Sequence, residues 1–232
     1  MRVSETMDRY TAGGYLPASF LDWDGHVAAV VFTQGCNFRC PWCHNRELVT
    51  GKGENIKLGI IVSDIAKRKK FLDGVVLTGG EPCIWDGLFD FLRAVRDLGL
   101  SIKLDTNGSM PEILKQVLKY GLTDHVAMDV KSPLDPISLK RLTGADISPD
   151  RLKESMGLIK GSGITYEFRT TFVGSLLSLD DMREIRKEID DDPHWIIQCF
   201  RPDSCLDPDM CRSSGTDKAK VREAFPGIRI RG

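Results

Sequence analysis

Six stretches of the 232-residue chain carry apolar runs bounded by turn residues: His26–Gly35, Gly74–Gly80, Ser101–Asn107, His125–Lys131, Tyr166–Val173 and Trp195–Phe200. Most lack clean alternation. Runs such as VVL, VAMDV and WIIQCF read as strands buried on both faces, the habit of a parallel sheet. Segments of helical period lie between them. Lys57–Lys70 sets Ile60, Ile61 and Ile65 on one side, and Asp86–Leu98 spaces Leu88, Leu92 and Val95 before Gly99. Pro111–Tyr120 opens with proline and stops at Gly121, and another helix opens at Ser148-Pro149 with Leu152, Met156 and Ile159 inward. Ser178–Ile189 repeats Met182, Ile185 and Ile189. Strands alternating with helices predict an α/β fold with parallel strands. Six units fall short of eight, so a partial (βα)6 TIM-like barrel is expected. Its βα core spans residues 14–202 and residues 203–232 form a C-terminal loop and tail, all within one domain.

In such folds chemistry gathers where strands end. The predicted strand ends carry the polar or special residues: a cysteine loop after the first, Gly79-Gly80-Glu81-Pro82 after the second, Asp105-Thr106-Asn107-Gly108 on the third. Asp129-Val130-Lys131 ends the fourth, Arg169 lies in the fifth, and Phe200-Arg201-Pro202 ends the sixth. A single active-site mouth at the C-terminal ends of the strands is therefore predicted. His26, His125 and His194 fall at strand starts, away from that mouth, and read as structural.

Composition narrows the class without naming a chemistry. The chain is 41% hydrophobic and 28% charged with net charge −1, which gives no global electrostatic case for nucleic acid or an acidic membrane. No apolar run reaches membrane-spanning length, and MRVSETMDRYTAGGY has no signal-peptide core. A reducing cytoplasm is expected. The seven cysteines are an odd number in a chain of this size, which favours metal or redox use over a disulfide framework.

Cys36, Cys40 and Cys43 form a CxxxCxxC loop, one thiolate short of closing a cluster or a structural zinc site. Three thiolates leave one metal position open, and the spacing predicts a three-thiolate iron–sulfur cluster shielded by Phe38 and Trp42. The competing reading is a zinc knuckle with adjacent His44 as fourth ligand. The glycines of Thr78-Gly79-Gly80-Glu81-Pro82 would let backbone approach a ligand closely, with Glu81 accepting from an ammonium group. Asp105 and Asp129 should end neighbouring strands, where two carboxylates repel unless a cation or Lys131 lies between them. Asn107 reads as a helix cap.

CNFRCPWC followed by GGEP within six βα units resembles the radical S-adenosylmethionine (SAM) superfamily, and more narrowly the glycyl-radical-enzyme activases. GGYLPASFLDWDGHVAAVVFTQGCNFRCPWCHN, VVLTGGEP, KLDTNG, AMDVK, YEFRTTFV and QCFRP are most similar to the activating proteins of anaerobic ribonucleoside-triphosphate reductase. They are more distantly similar to pyruvate formate-lyase activating enzyme. The resemblance implies that Cys36, Cys40 and Cys43 hold a [4Fe-4S] cluster whose fourth iron is chelated by SAM. It implies that Gly79, Gly80 and Glu81 hold the amino group, Lys131 faces the carboxylate, and the Trp42 backbone meets adenine. Arg169 and Arg201 would line the far side, and Asp105, Thr106, the Ala127 carbonyl and Asp129 match a monovalent-cation site. The implied reaction is reductive cleavage of SAM to methionine and a 5′-deoxyadenosyl radical, which takes hydrogen from a partner's glycine. The implied partners are a glycyl radical enzyme, such as an anaerobic ribonucleotide reductase, and a flavodoxin- or ferredoxin-type electron donor.

Cys83, Cys199, Cys205 and Cys211 depart from that pattern. Their number equals the ligands of a second cluster or a zinc, but their spacing matches no recognised ligand set, and unligated thiols are the plainer reading. An auxiliary cluster would favour a radical enzyme acting on a small molecule or peptide. A non-catalytic iron–sulfur or zinc protein would leave GGEP, DTNG and MDVK at successive strand ends unexplained.

Overall fold

The computed structural model describes residues 7–232. The first six residues, part of the N-terminus read as lacking a signal-peptide core, lie outside the described residues. The described residues form ten strands: β1 (Thr11–Ala12), β2 (Gly14–Ser19), β3 (Ala28–Thr33), β4 (Ile56–Lys57), β5 (Gly74–Gly79), β6 (Ser101–Thr106), β7 (His125–Asp129), β8 (Thr165–Phe172), β9 (Trp195–Cys199) and β10 (Arg229–Arg231). Eight of them form one sheet in the order β10-β9-β8-β7-β6-β5-β3-β2. Every neighbour pair is parallel except β2 with β3. The sheet has two ends, so the predicted partial TIM-like barrel is open. β1 and β4 make a separate two-stranded antiparallel ribbon.

All six expected strands are present, and the five expected helices appear as Leu58–Arg68, Leu88–Asp97, Pro111–Lys119, Pro149–Lys160 and Leu179–Glu188. Their starts have local causes. Ser178 and Asp181 form a reciprocal capping box, and Ser148 caps the helix that opens at Pro149. Three expectations need correcting. The tail beyond residue 203 is not loop alone, since helix Lys218–Ala224 returns the chain to lay β10 parallel on β9 as a seventh parallel strand. Helix Pro136–Thr143 went unread, although Asp135 caps it, proline opens it and Gly144 at φ 66° closes it. Asn107 caps no helix, because the next one opens at Pro111 behind Met110.

The strand register sorts residues onto two faces. Ala29, Val31, Val75, Leu77, Ile102, Leu104, Val126, Met128 and Phe168 point outward and join one large core with the helices. Trp23, Ala28, Val30 and Val76 form a smaller apolar cluster on the other face, inside the barrel. Lys103, paired in register with His125, continues that inner face into the charged residues of β6–β8. Among the described residues no helix is long and apolar enough to cross a membrane.

Candidate active site

The loops after β3 and β5 are locked together by backbone. Gly80 N donates to Thr33 O and Glu81 N to Gly35 O. A Cβ on Gly80 would lie 1.8 Å from Gly35 O, and one on Gly79, at φ 115°, would lie 2.4 Å from Thr33 N. The contact between loops therefore requires both glycines. Asn45, which sequence reasoning passed over, adds a third tie by donating from Nδ2 to Gly79 O at 3.0 Å. Its place directly after the cysteine loop was the available signal.

One cavity of about 230 Å³ opens at the C-terminal ends of the strands, and it gathers the candidates. Cys36, Cys40, Trp42 and Cys43 line it together with Gly79, Gly80, Glu81, Asp105, Thr106, Asp129, Lys131 and Arg169. Arg201 does not. Its side chain is exposed and its carbonyl accepts from His44 Nε2 at 2.8 Å. That bond engages the histidine of the zinc-knuckle reading.

Burial pushes the thiols up, Cys36 to about 11 and Cys40 to about 12. Phe38 N, donating to Cys36 Sγ at 3.3 Å, and the nearby Lys131 ammonium oppose the rise. Metal loading would therefore release protons. Among the described residues no group of three His, Cys, Asp or Glu side chains is placed to hold a single metal ion. Three thiols on one cavity are the donor set of an iron–sulfur cluster with one open iron, and His44, the fourth ligand of the zinc reading, is engaged by the Arg201 carbonyl. Buried Phe38 and Trp42 wall off the cysteines.

Glu81 is buried and fully engaged. Its carboxylate accepts from Thr106 Oγ1 (2.7 Å), Asn107 N (2.7 Å) and Cys83 N (2.9 Å). Burial raises its pKa and those three donors oppose the rise. Glu81 thus pins the β6 loop to the β5 loop. Asn107 ties the same loop to the cysteine loop, accepting from Ser109 N and donating to Asn37.

Asp129 and Lys131 form the polar wall opposite. Lys131 Nζ donates to Asp129 Oδ2 at 3.0 Å. Burial alone would raise Asp129, but Arg169 and Lys131 outweigh it and hold the carboxyl at about 2. Burial would likewise lower Lys131, yet Asp129 reverses the sign and its pKa is raised. The ammonium is half-buried and charged, and two of its three donors remain for a ligand carboxylate. The other cysteines are dispersed: Cys83 is buried with Sγ 3.6 Å from Thr106 Oγ1, Cys199 ends β9, and Cys205 lies beside Cys211.

Residues 30–189 match the sequence profile of the Radical SAM superfamily. A protein of Methanocaldococcus jannaschii, provisionally named a glycyl-radical enzyme activating enzyme, is 30% identical over 90% of this chain and 88% of its own length. The pyruvate formate-lyase-activating enzyme of Clostridium pasteurianum is 30% identical over 51% of each chain. Among solved structures, Streptococcus suis SuiB bound to the precursor peptide SuiA superposes with a TM-score of 0.61 at 16% identity, over 88% of this chain and 48% of that one. The chain thus spans about half the length of that structure, and the likeness speaks to the fold alone.

Proposed function

This chain belongs to the radical SAM superfamily, and we propose that within it the protein is a glycyl-radical-enzyme activating enzyme. One observation carries the chemistry of this reading, the thiols of Cys36, Cys40 and Cys43 sharing a cavity with Gly79–Glu81 and Lys131, and the relative named for activating a glycyl radical enzyme supports the activase role. The three thiolates would hold a [4Fe-4S] cluster, and SAM would bind beside it. When bound, this pair supplies one-electron cleavage of the SAM C5′–S bond to a hydrogen-abstracting 5′-deoxyadenosyl radical.

The chain's own residues bind, orient and exclude water. Lys131, held by Asp129, offers its charge to the methionine carboxylate. The Gly79–Glu81 backbone, fixed by Asn45 and the Glu81 carboxylate, would receive the amino group, and the Trp42 backbone would meet the adenine. Phe38 and Trp42 would keep water from the cluster side. No acid–base pair is called for, and His26, His125 and His194 sit at the starts of the strands. The relative named as a glycyl-radical enzyme activating enzyme, matched over most of both chains, supports a glycyl radical enzyme as partner. Anaerobic ribonucleotide reductase as that partner, with a flavodoxin- or ferredoxin-type donor, rests on the sequence resemblance.

The test is anaerobic reconstitution with iron and sulfide, reduction, addition of SAM, and mass spectrometry of 5′-deoxyadenosine with Cys40→Ala as control. Wild type should form it and the variant should not. Adding anaerobic ribonucleotide reductase should give a glycyl radical doublet by electron paramagnetic resonance. Product without any radical on the reductase would remove that partner. No product from a loaded, reduced enzyme with partner present would sink the activase reading.

A further inference from the structure

Two carboxylates facing one cavity need a cation between them. The sequence left two ways to supply it, a bound monovalent ion or a basic side chain. Asp129 on β7 is paired in register with Arg169 on β8, and Asp105 enters from β6. Arg169 Nε donates to Asp129 Oδ1 at 2.9 Å, and its terminal nitrogen donates to Asp105 Oδ2 at 3.1 Å. The guanidinium therefore bridges the two acids. Basic side chains also crowd the rest of this carboxylate pair. Thr106 Oγ1 donates to Glu81, Lys131 takes Asp129 Oδ2, and Lys103 Nζ stands 3.5 Å from Asp105 Oδ1. Arg169 has a side-chain exposure of 10%. Guanidinium does not deprotonate in proteins, so a second cation placed here would meet a fixed positive charge, and the one buried oxygen left without a hydrogen bond among the described residues, Asp105 Oδ1, already has Lys103 Nζ 3.5 Å away. The residues present do not fit a monovalent ion.

We propose that Arg169 is the resident cation of this carboxylate pair, a positioning residue that stands where a bound monovalent ion would otherwise be needed. Its planar fork fixes Asp129 by one oxygen and leaves the other for Lys131. The ammonium that meets the ligand is thereby aimed without an ion from solution. This inference rests on the reading that the cavity takes SAM, and its test includes a readout that does not.

Binding of SAM to the anaerobic holoenzyme would be measured in K⁺, Na⁺ and tetramethylammonium chloride at equal ionic strength, with melting temperature recorded alongside. Wild-type affinity should vary by less than about twofold among the salts. Arg169→Ala should lose at least about tenfold in tetramethylammonium and recover in K⁺, Na⁺ or dilute guanidinium chloride. Arg169→Lys, which keeps the charge, should retain most of the affinity without added ions. The melting temperature of Arg169→Ala, and not of wild type, should rise with K⁺ or guanidinium. A wild type that weakens about tenfold without K⁺ and Na⁺ would overturn the proposal. So would an Arg169→Ala protein equally impaired in every salt. If wild type binds no SAM in any salt, the cavity reading fails, and the melting temperatures alone decide whether Arg169 acts as the cation.

Discussion

On one side of β6, Ile102 and Leu104 press into the helix layer beside Val126, Met128 and Phe168. On the other, Lys103 and Asp105 face the barrel interior, where they join Asp129, Glu167 and Arg169. Both faces are largely buried, but they are held by different forces. Outside, each side chain contributes its own transfer and packing energy, and the contributions nearly add. Inside, each charge is tolerable only because another sits beside it. Glu167 shows this best. Arg231 grips both of its oxygens at 3.0 Å from β10, and Lys103 and Arg169 stand 3.9 Å away. Burial alone would raise its pKa, but these three cations hold it below the usual range. The charges run from Arg231 and Asp24 near the strand starts to Asp129 and Lys131 at the active-site mouth. Toward β3 and β5 the interior holds the apolar cluster of Trp23, Ala28, Val30 and Val76.

The largest effect should come from removing one member of the charged set. Glu167→Gln keeps the shape but leaves Lys103, Arg169 and Arg231 short of an anion, and it should cost about 4 kcal/mol in urea unfolding at pH 7. A cost below about 1 kcal/mol would place Glu167 with solvent-screened surface pairs and erase the contrast between the faces. On the outer face Leu104→Ala should cost about 3 kcal/mol through the cavity it leaves. The two variants should also differ in kind. Leu104→Ala should leave SAM affinity intact, whereas Glu167→Gln, by loosening Arg169, should weaken it. Equal affinities in the two variants would show that the charged set does not reach the mouth.

The outer face was legible in the sequence and the inner one was not, for a physical reason. Apolar runs such as VVL declare a buried strand because nothing but burial explains them. Lys103 and Glu167 alternate with Leu104 and Phe168, and from sequence they look like ordinary solvent-facing polar positions. Only the register of β6, β7 and β8 turns them toward each other. β10 escaped for the same cause, since Arg-Ile-Arg has no strand signature until Glu167 and Asp24 meet its arginines. β2 carries Pro17 and lies at the sheet edge with little burial, so neither an apolar run nor alternation marked it. The candidate site fared better. Cys36, Cys40, Cys43, Trp42, Gly79, Gly80, Glu81, Asp105, Thr106, Asp129, Lys131 and Arg169 all line the cavity, and Ala127 and Arg201 do not, because chemistry at the C-terminal ends of parallel strands is a topological rule that needs no knowledge of side-chain partners. The roles within the cavity were less legible. Glu81 and Gly80 serve the contact between loops and Arg169 the carboxylate pair, and those partners are set by approach distances that the chain does not print.

The smallest expected effect tests the edge of the charged set. His125 sits at the strand-start end of the interior, with Nδ1 2.9 Å from Thr165 Oγ1. Burial lowers its pKa, Lys103 and Arg169 add to the fall, and Glu167 and Asp105 oppose it, leaving a value of about 4. The unfolded chain, with an ordinary histidine near 6.5, therefore binds more protons than the folded protein between those values. Stability is complete above about pH 6.5 and is lost as pH falls toward about 4. The full shift would amount to about 3 kcal/mol, and discounting for solvent at this half-buried site leaves about 1–2 kcal/mol. Unfolding free energies measured at pH 7 and at pH 5 should show that slope in wild type and in Leu104→Ala, and His125→Asn should remove it. A slope that survives in His125→Asn would mean that protons enter at the carboxylates instead, and the charged interior would then be less rigidly paired than its distances imply.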